Sequence, residues 1–193
     1  KLGERGAINN FPLFLLDNGL TMNELAFWNG SVSQLLSILG SIYGGFILSR
    51  PSSNINSLIL FHSLQRFVCI AVQCCCIGCA ASFTPILRYP LYHTCCLLSL
   101  CWLSYSTGVI STLTFTLMMQ YSRQLATELQ SSHYSILASV EVAGKLAFAT
   151  VAGALVDYMG LRLAFALFTA LSLLPVLLLL LQPPPATHKN KQE

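Results

Sequence analysis

Hydrophobic residues in this chain do not alternate with polar ones. They run in long blocks, at 27–48, 58–83, 92–119, 134–156 and 161–181. A helix rises about 1.5 Å per residue, so about 20 apolar residues cross a hydrocarbon core of about 30 Å. Every block reaches that length. The ~10-residue alternating segments of a membrane barrel are absent. The pattern therefore predicts helices that span a bilayer.

The segment 1–16 is different. It holds Lys1, Glu4, Arg5, Asn9 and Asn10, and only 11–16 is solidly apolar. Taken alone it does not qualify as a span. It becomes a sixth one if its polar face points into a water-filled cavity between helices, where ionisable groups are tolerated. Pro12 has no backbone N–H to donate and is expected to kink or break this helix. The expectation is an all-α membrane protein: a six-helix transmembrane bundle over 1–182, with spans near 1–16, 27–48, 58–83, 92–119, 134–156 and 161–181. Pro183-Pro184-Pro185 should end the last helix and leave 183–193 as a disordered cytoplasmic tail.

Composition sharpens this picture. Of the 193 residues, 54% are hydrophobic and only 9% are charged. A soluble domain carries about 25% charged residues to wet its surface, so this surface suits hydrocarbon better than water. The lipid bilayer is thus the first expected partner. The net charge of +3 is small and no basic run interleaves with aromatics, so nucleic acid is set aside. The chain opens without an initiator Met or a charged-then-apolar leader, which suggests the C-terminal part of something longer.

The connections carry turn chemistry: Asp17-Asn18-Gly19, Arg50 to Asn54, Thr84 to Pro90, Ser122 to Ser132, and Asp157 to Gly160. Positive charge sorts them into two sides. Lys1, Arg5, Arg50, Arg123, Lys189 and Lys191 fall on one. Arg88 and Arg162 fall on the other, together with Asp17, Glu24 and Asp157. The richer side should face the cytoplasm, which places both ends there. Asn29-Gly30-Ser31 matches a glycosylation pattern, but at the mouth of a helix where a modifying enzyme would struggle to reach it.

Eight cysteines, including Cys74-Cys75-Cys76 and Cys79, raise a metal or disulfide reading. Consecutive helical residues point about 100° apart, so the triplet cannot converge on one ion. In apolar spans Cys acts as a small soft hydrophobe. The four histidines are scattered. No nucleophile elbow, phosphate-cradling loop or paired carboxylates appear, so no enzyme, no cofactor and no metal is expected.

The polar residues inside the spans carry the chemistry. An ionised side chain at membrane depth costs about 2.5–3.5 kcal/mol on insertion scales, so it needs a partner or a cavity. Glu141 and Lys145 stand four residues apart and meet on one helical face. They are either a self-neutralised pair or a charged contact on a solute path. Lys1, Glu4, Arg5 and Asn9 form the densest cluster, with Lys1, Arg5 and Ile8 sharing a face. A cytoplasmic helix end with its charges among headgroups explains that cluster equally well. Gln65 and Arg66 read as snorkelling residues near the cytoplasmic face. Gly40, Gly44 and Gly45 form a small-residue stripe and Gly108 lies in a later span, which permits close helix crossings.

Lys1-Leu2-Gly3-Glu4, Phe14-Leu15-Leu16, Trp28-Asn29-Gly30, and Gly40 through Gly44-Gly45 to Arg50 together resemble the start of the C-terminal half of a major facilitator. The stretch Ser132 to Ala138, with Glu141 and Gly144-Lys145, is similar to the branch holding the acetyl-coenzyme A transporter and the bacterial muropeptide permease. The resemblance is weak across 54–94. It implies a twelve-helix parent of which this chain supplies helices seven to twelve, the missing N-terminal six-helix half being a partner. It implies alternating access for a small-molecule solute, such as acetyl-coenzyme A or a related organic anion, with Lys1, Glu4, Arg5, Asn9, Glu141 and Lys145 as candidates on the path. A sugar- or peptide-like solute is the alternative, as is a truncated membrane isoform that binds a partner without transporting. Gly153-x-x-x-Asp157-x-x-Gly160-x-Arg162 resembles the superfamily's loop motif but stands between the last two helices, so no gating role is carried over. The membrane, plasma or internal, is left open.

An epitope fused to the C-terminus should be reached by antibody only after the membrane is permeabilised. Labelling of intact cells would overturn the orientation.

Overall fold

In the computed structural model, which describes residues 2–50, 54–82 and 90–181, the chain is built from helices, and no strand occurs among those residues. We number them α1 (Leu2–Asp17), α2 (Met22–Leu48), α3 (Ile55–Ser82), α4 (Pro90–Ser122), α5 (Gln130–Met159) and α6 (Leu161–Leu181). Five of them, α2 to α6, are long and apolar enough to cross a membrane, as a multi-pass membrane protein requires. At 16 residues, α1 is about 24 Å long and falls short of that length. The predicted tail, 183–193, and parts of the connections at Pro51 and Pro85 lie outside the described residues.

Helix ends extend past the apolar blocks because caps and interfacial turns are polar. α2 starts at Met22, five residues before its block, since Thr21 and Glu24 form a capping box: the Glu24 amide donates to the Thr21 hydroxyl at 3.3 Å and the Thr21 amide to Glu24 Oε2 at 3.1 Å. Gly19, at φ 101°, makes the turn that precedes it. From Ala26 to Val32 the helix widens into π-type turns before resuming α geometry at Ser33. Such insertions are rare and frequent at functional sites. α5 and α6 meet at Gly160, whose φ of 80° reverses the chain in one residue.

Pro12 does not break α1, which runs through to Asp17. A proline costs its own N–H bond and a clash with the preceding turn. Neighbours hold the helix together here, for α1 is central and buries residues on most of its circumference, from Gly3 to Leu15. It packs mainly on α5 and α6, and also touches α3 and α4. Gly3 and Gly6 leave room for Phe168 of α6, whose ring joins Phe165, Phe11 and Phe148 in tilted and edge-on contacts at 5.6–6.1 Å. This aromatic cluster is the core.

The second organising contact is α2 on α4. Gly40 meets the Tyr105 carbonyl, Gly108 meets the Ser37 carbonyl, and a Cβ at Gly44 would stand 3.2 Å from the Val109 carbonyl oxygen. Backbone lies on backbone. Ser41 Oγ donates to the Gly108 carbonyl at 3.3 Å and Thr112 Oγ1 to the Ser41 carbonyl at 3.2 Å across the seam. The small-residue stripe is therefore an interface at Gly40 and Gly44. Gly45 takes no part, because nothing lies within 4 Å of a Cβ there.

The outward surface is apolar. Leu35, Ile42, Phe46, Ile136, Val140 and Leu163 are all more than half exposed. A soluble monomer rarely shows contiguous apolar area of that extent. Of α5, Ala152 is the buried residue among those described.

Replacing Gly40 or Gly108 by Ala should force α2 and α4 apart and destabilise the protein by about 1–3 kcal/mol. Gly45→Ala should be neutral within about 0.5 kcal/mol. Thermal melts of the three variants check this.

Candidate polar site in the bundle

α1 brings Glu4 into the middle of the helices. The carboxylate is 5% exposed, and Arg66 of α3, 4% exposed, donates to it from Nη1. The Thr107 hydroxyl of α4 reaches the other carboxylate oxygen, and also lies 2.8 Å from the Leu103 carbonyl. Arg66 stands eleven residues into α3, about 16 Å along its axis, far from the helix end. It does not snorkel. A buried guanidinium needs a counter-charge, and Glu4 supplies one. Three helices are pinned at one point by this contact.

Beside it lies a cavity of about 40 Å³, lined by Glu4, Arg5, Ile8, Thr107, Ser111 and Lys145. Lys145 comes from α5, where its Nζ is 2.8 Å from Glu141 Oε1, the i,i+4 pair that the spacing implies. The site thus draws on α1, α3, α4 and α5. Its ionisable groups are Arg5, Arg66 and Lys145 against Glu4 and Glu141, three positive and two negative, leaving a charge of +1 when all are ionised. Arg5 is the unmatched cation. It enters no ion pair among the described residues, and its Nε is buried without a hydrogen bond.

The candidates read from the sequence divide accordingly. Glu4, Arg5 and Lys145 converge on one cavity, and Glu141 is held to it through Lys145. Asn9 is exposed and lies apart from the cavity; its neighbour Asn10 is buried instead, donating from Nδ2 to the Gly6 carbonyl at 2.9 Å. Lys1 lies outside the described residues. Arg66, Thr107 and Ser111 belong to the site although the sequence reading gave them no role there. Thr107 and Ser111 are one helical turn apart, but α4 also carries Ser99, Ser104, Ser106, Thr112, Thr114 and Thr116, so that spacing did not single them out.

Other polar contacts involve residues that do not line this cavity. His62 Nδ1 is 3.0 Å from Gln65 Oε1, and Ser122 Oγ is 3.0 Å from His133 Nδ1. Arg162 of the loop motif donates to the Gly78 carbonyl at 2.9 Å. The cysteines are unbridged, and among the described residues no group of three or more His, Cys, Asp or Glu could hold a metal. Cys76 and Cys96 are buried between α3 and α4, whereas Cys75, Cys79 and Cys95 face outward.

The chain matches no family model and no solved structure.

Arg66→Met should leave Glu4 buried without its cation and cost about 3–5 kcal/mol. Glu4→Gln with Arg66→Met should recover most of that loss. A double-mutant cycle followed by thermal or denaturant melts measures it, and additive losses would show that the two side chains do not act as a pair.

Proposed function

We propose that this chain is one half of a membrane transporter of the major-facilitator type, and that its solute is an organic anion such as acetyl-coenzyme A. The observation that carries this reading is the gathering of five ionisable side chains from three helices, with Thr107 and Ser111 of a fourth, at and beside one internal cavity, Arg5 having no ion pair among the described residues. Ionisable groups at membrane depth are costly, and they are kept where a solute or ion passes. A site with a surplus cation favours anions. Alternating access would expose it first to one side and then to the other.

Two further features support a half rather than a whole. The cavity, at about 40 Å³, admits a terminal group of a solute and no more, so a second bundle would supply the rest of the wall. α5 carries Glu141 and Lys145 and has exposed small residues, Ala143, Gly144 and Ala147, on a little-covered surface. Small residues let helices approach closely, which suits the missing N-terminal half as occupant. The same small cavity also favours a second reading: a membrane isoform that binds a partner and moves no solute by itself. Sugar- or peptide-like solutes remain the alternative class, since fold does not set substrate. In either reading the role is that of a carrier or binding protein and not of an enzyme.

Proteoliposomes holding the longest natural chain that contains these residues should take up labelled acetyl-coenzyme A saturably. Glu141→Gln with Lys145→Met should cut that uptake at least about tenfold, the loss of one charge-assisted contact or more. A correctly inserted protein that shows no uptake above empty vesicles would remove this solute.

A further inference from the structure

A second polar residue is buried near the charged site. Gln73 of α3 is 1% exposed, and neither its Oε1 nor its Nε2 has a hydrogen-bond partner among the described residues. A buried amide left in that state is costly, and such groups are satisfied by protein or by ordered water. Gln73 lines a separate cavity of about 10 Å³, together with Asn29 of the π-type segment, Ser104 of α4 and the apolar Ile8. That volume is about one water-sized sphere. It has no room for a solute group. It has the polar partners that a water molecule needs.

The two cavities share a wall, for Ile8 lines both. They also follow one another along the helices. On α3, Arg66 and Gln73 are seven residues apart, two turns on the same face, or about 10.5 Å. On α4, Thr107 and Ser104 are one turn apart, with Thr107 in the charged cavity and Ser104 in the second. On α1, Glu4 belongs to the first cavity, Phe11 to the second, and Ile8 to both. On α3 and α4 the polar residues thus continue from one cavity towards the next, and on α1 the residue shared by both cavities is the aliphatic Ile8.

We propose that these cavities are two segments of one internal water path, with water hydrogen-bonded to Gln73, Asn29 and Ser104 in the second segment, and that the Ile8 side chain is the plug between them. The amide of Gln73 offers both donor and acceptor, so it can hold water whichever way the molecule is oriented. The hydroxyls of Ser104 and Thr107 lie 3.0 and 2.8 Å from the carbonyls of Leu100 and Leu103 and keep lone pairs free to accept. Hydrophobic constrictions of this kind close a pore by excluding water. The inference rests on the cavities alone and stands whether or not the protein carries a solute.

Two measurements on the whole chain test it. In stopped-flow shrinkage of proteoliposomes, the native chain should pass water at the rate of empty vesicles. Ile8→Ala should raise that rate several-fold, and Gln73→Met added to Ile8→Ala should return it to baseline. If the Ile8→Ala protein is inserted and helical yet passes no more water than the native chain, the path does not exist. The second measurement needs no change at Ile8. If Gln73 is hydrated, Gln73→Met, an unbranched apolar replacement of similar size, should leave the melting temperature unchanged or lower. A rise of several degrees would show a dry amide relieved of its burial and would overturn the proposal. That melt also decides the matter should Ile8→Ala fail to fold.

Discussion

The bundle depends on one carboxylate that cannot be left alone. Glu4 sits among helices where an uncompensated charge is expensive, and Arg66 and Thr107 answer it from α3 and α4. Those partners fix the depth and rotation of α1, since a turn of the helix in either direction would strand three polar groups at once. The aromatic contacts of Phe11, Phe165 and Phe168 then fill the space that this rotation defines. Apolar packing between helices is weakly directional in a lipid solvent, where the tails are as greasy as the side chains. The ion pair supplies the direction, and the glycine crossing of α2 on α4 supplies the other fixed point.

The same arrangement divides the bundle by mobility. α2 and α4 touch backbone to backbone and share two cross-seam hydrogen bonds, so they form a stiff pair. α5 contacts α1, α4 and α6 and yet buries little of its own surface. It carries Lys145, which closes the charged cavity on one side. A helix that is lightly packed and holds one wall of an internal site is the element with most freedom to move relative to it.

Much of this was legible in the sequence, and the failures have physical causes. Hydropathy located the five spans because apolar length is what a bilayer selects. It missed the helix starts at Met22 and Gln130, because polar residues stand there: Thr21, Asn23 and Glu24 at the start of α2, and Gln130 to His133 in the first turn of α5. The Glu141–Lys145 pair followed from spacing within one helix. Arg66 was misread because its partner lies 62 residues away on another helix, and no local pattern contains that pairing. Asn9 and Asn10 are adjacent and alike, and only the packing of α1 decides which one faces inward. Gly40 and Gly45 look equivalent in a stripe, yet α4 covers the first and leaves the second open. Gln73 carried no signal, since one glutamine in a cysteine-rich span is as easily a surface residue.

The polarity of α1 bears on how such a chain is made. A nascent segment of 16 residues with Glu4 and Arg5 near its start partitions poorly from the translocon into lipid. Its compensating arginine is synthesised some sixty residues later, and Thr107 about forty after that. Stable integration of α1 must therefore wait for α3 and α4 to emerge. Until then the segment is held at the interface or by the insertion machinery. Membrane entry of this chain is in that sense a folding reaction, with its first helix committed after its fourth.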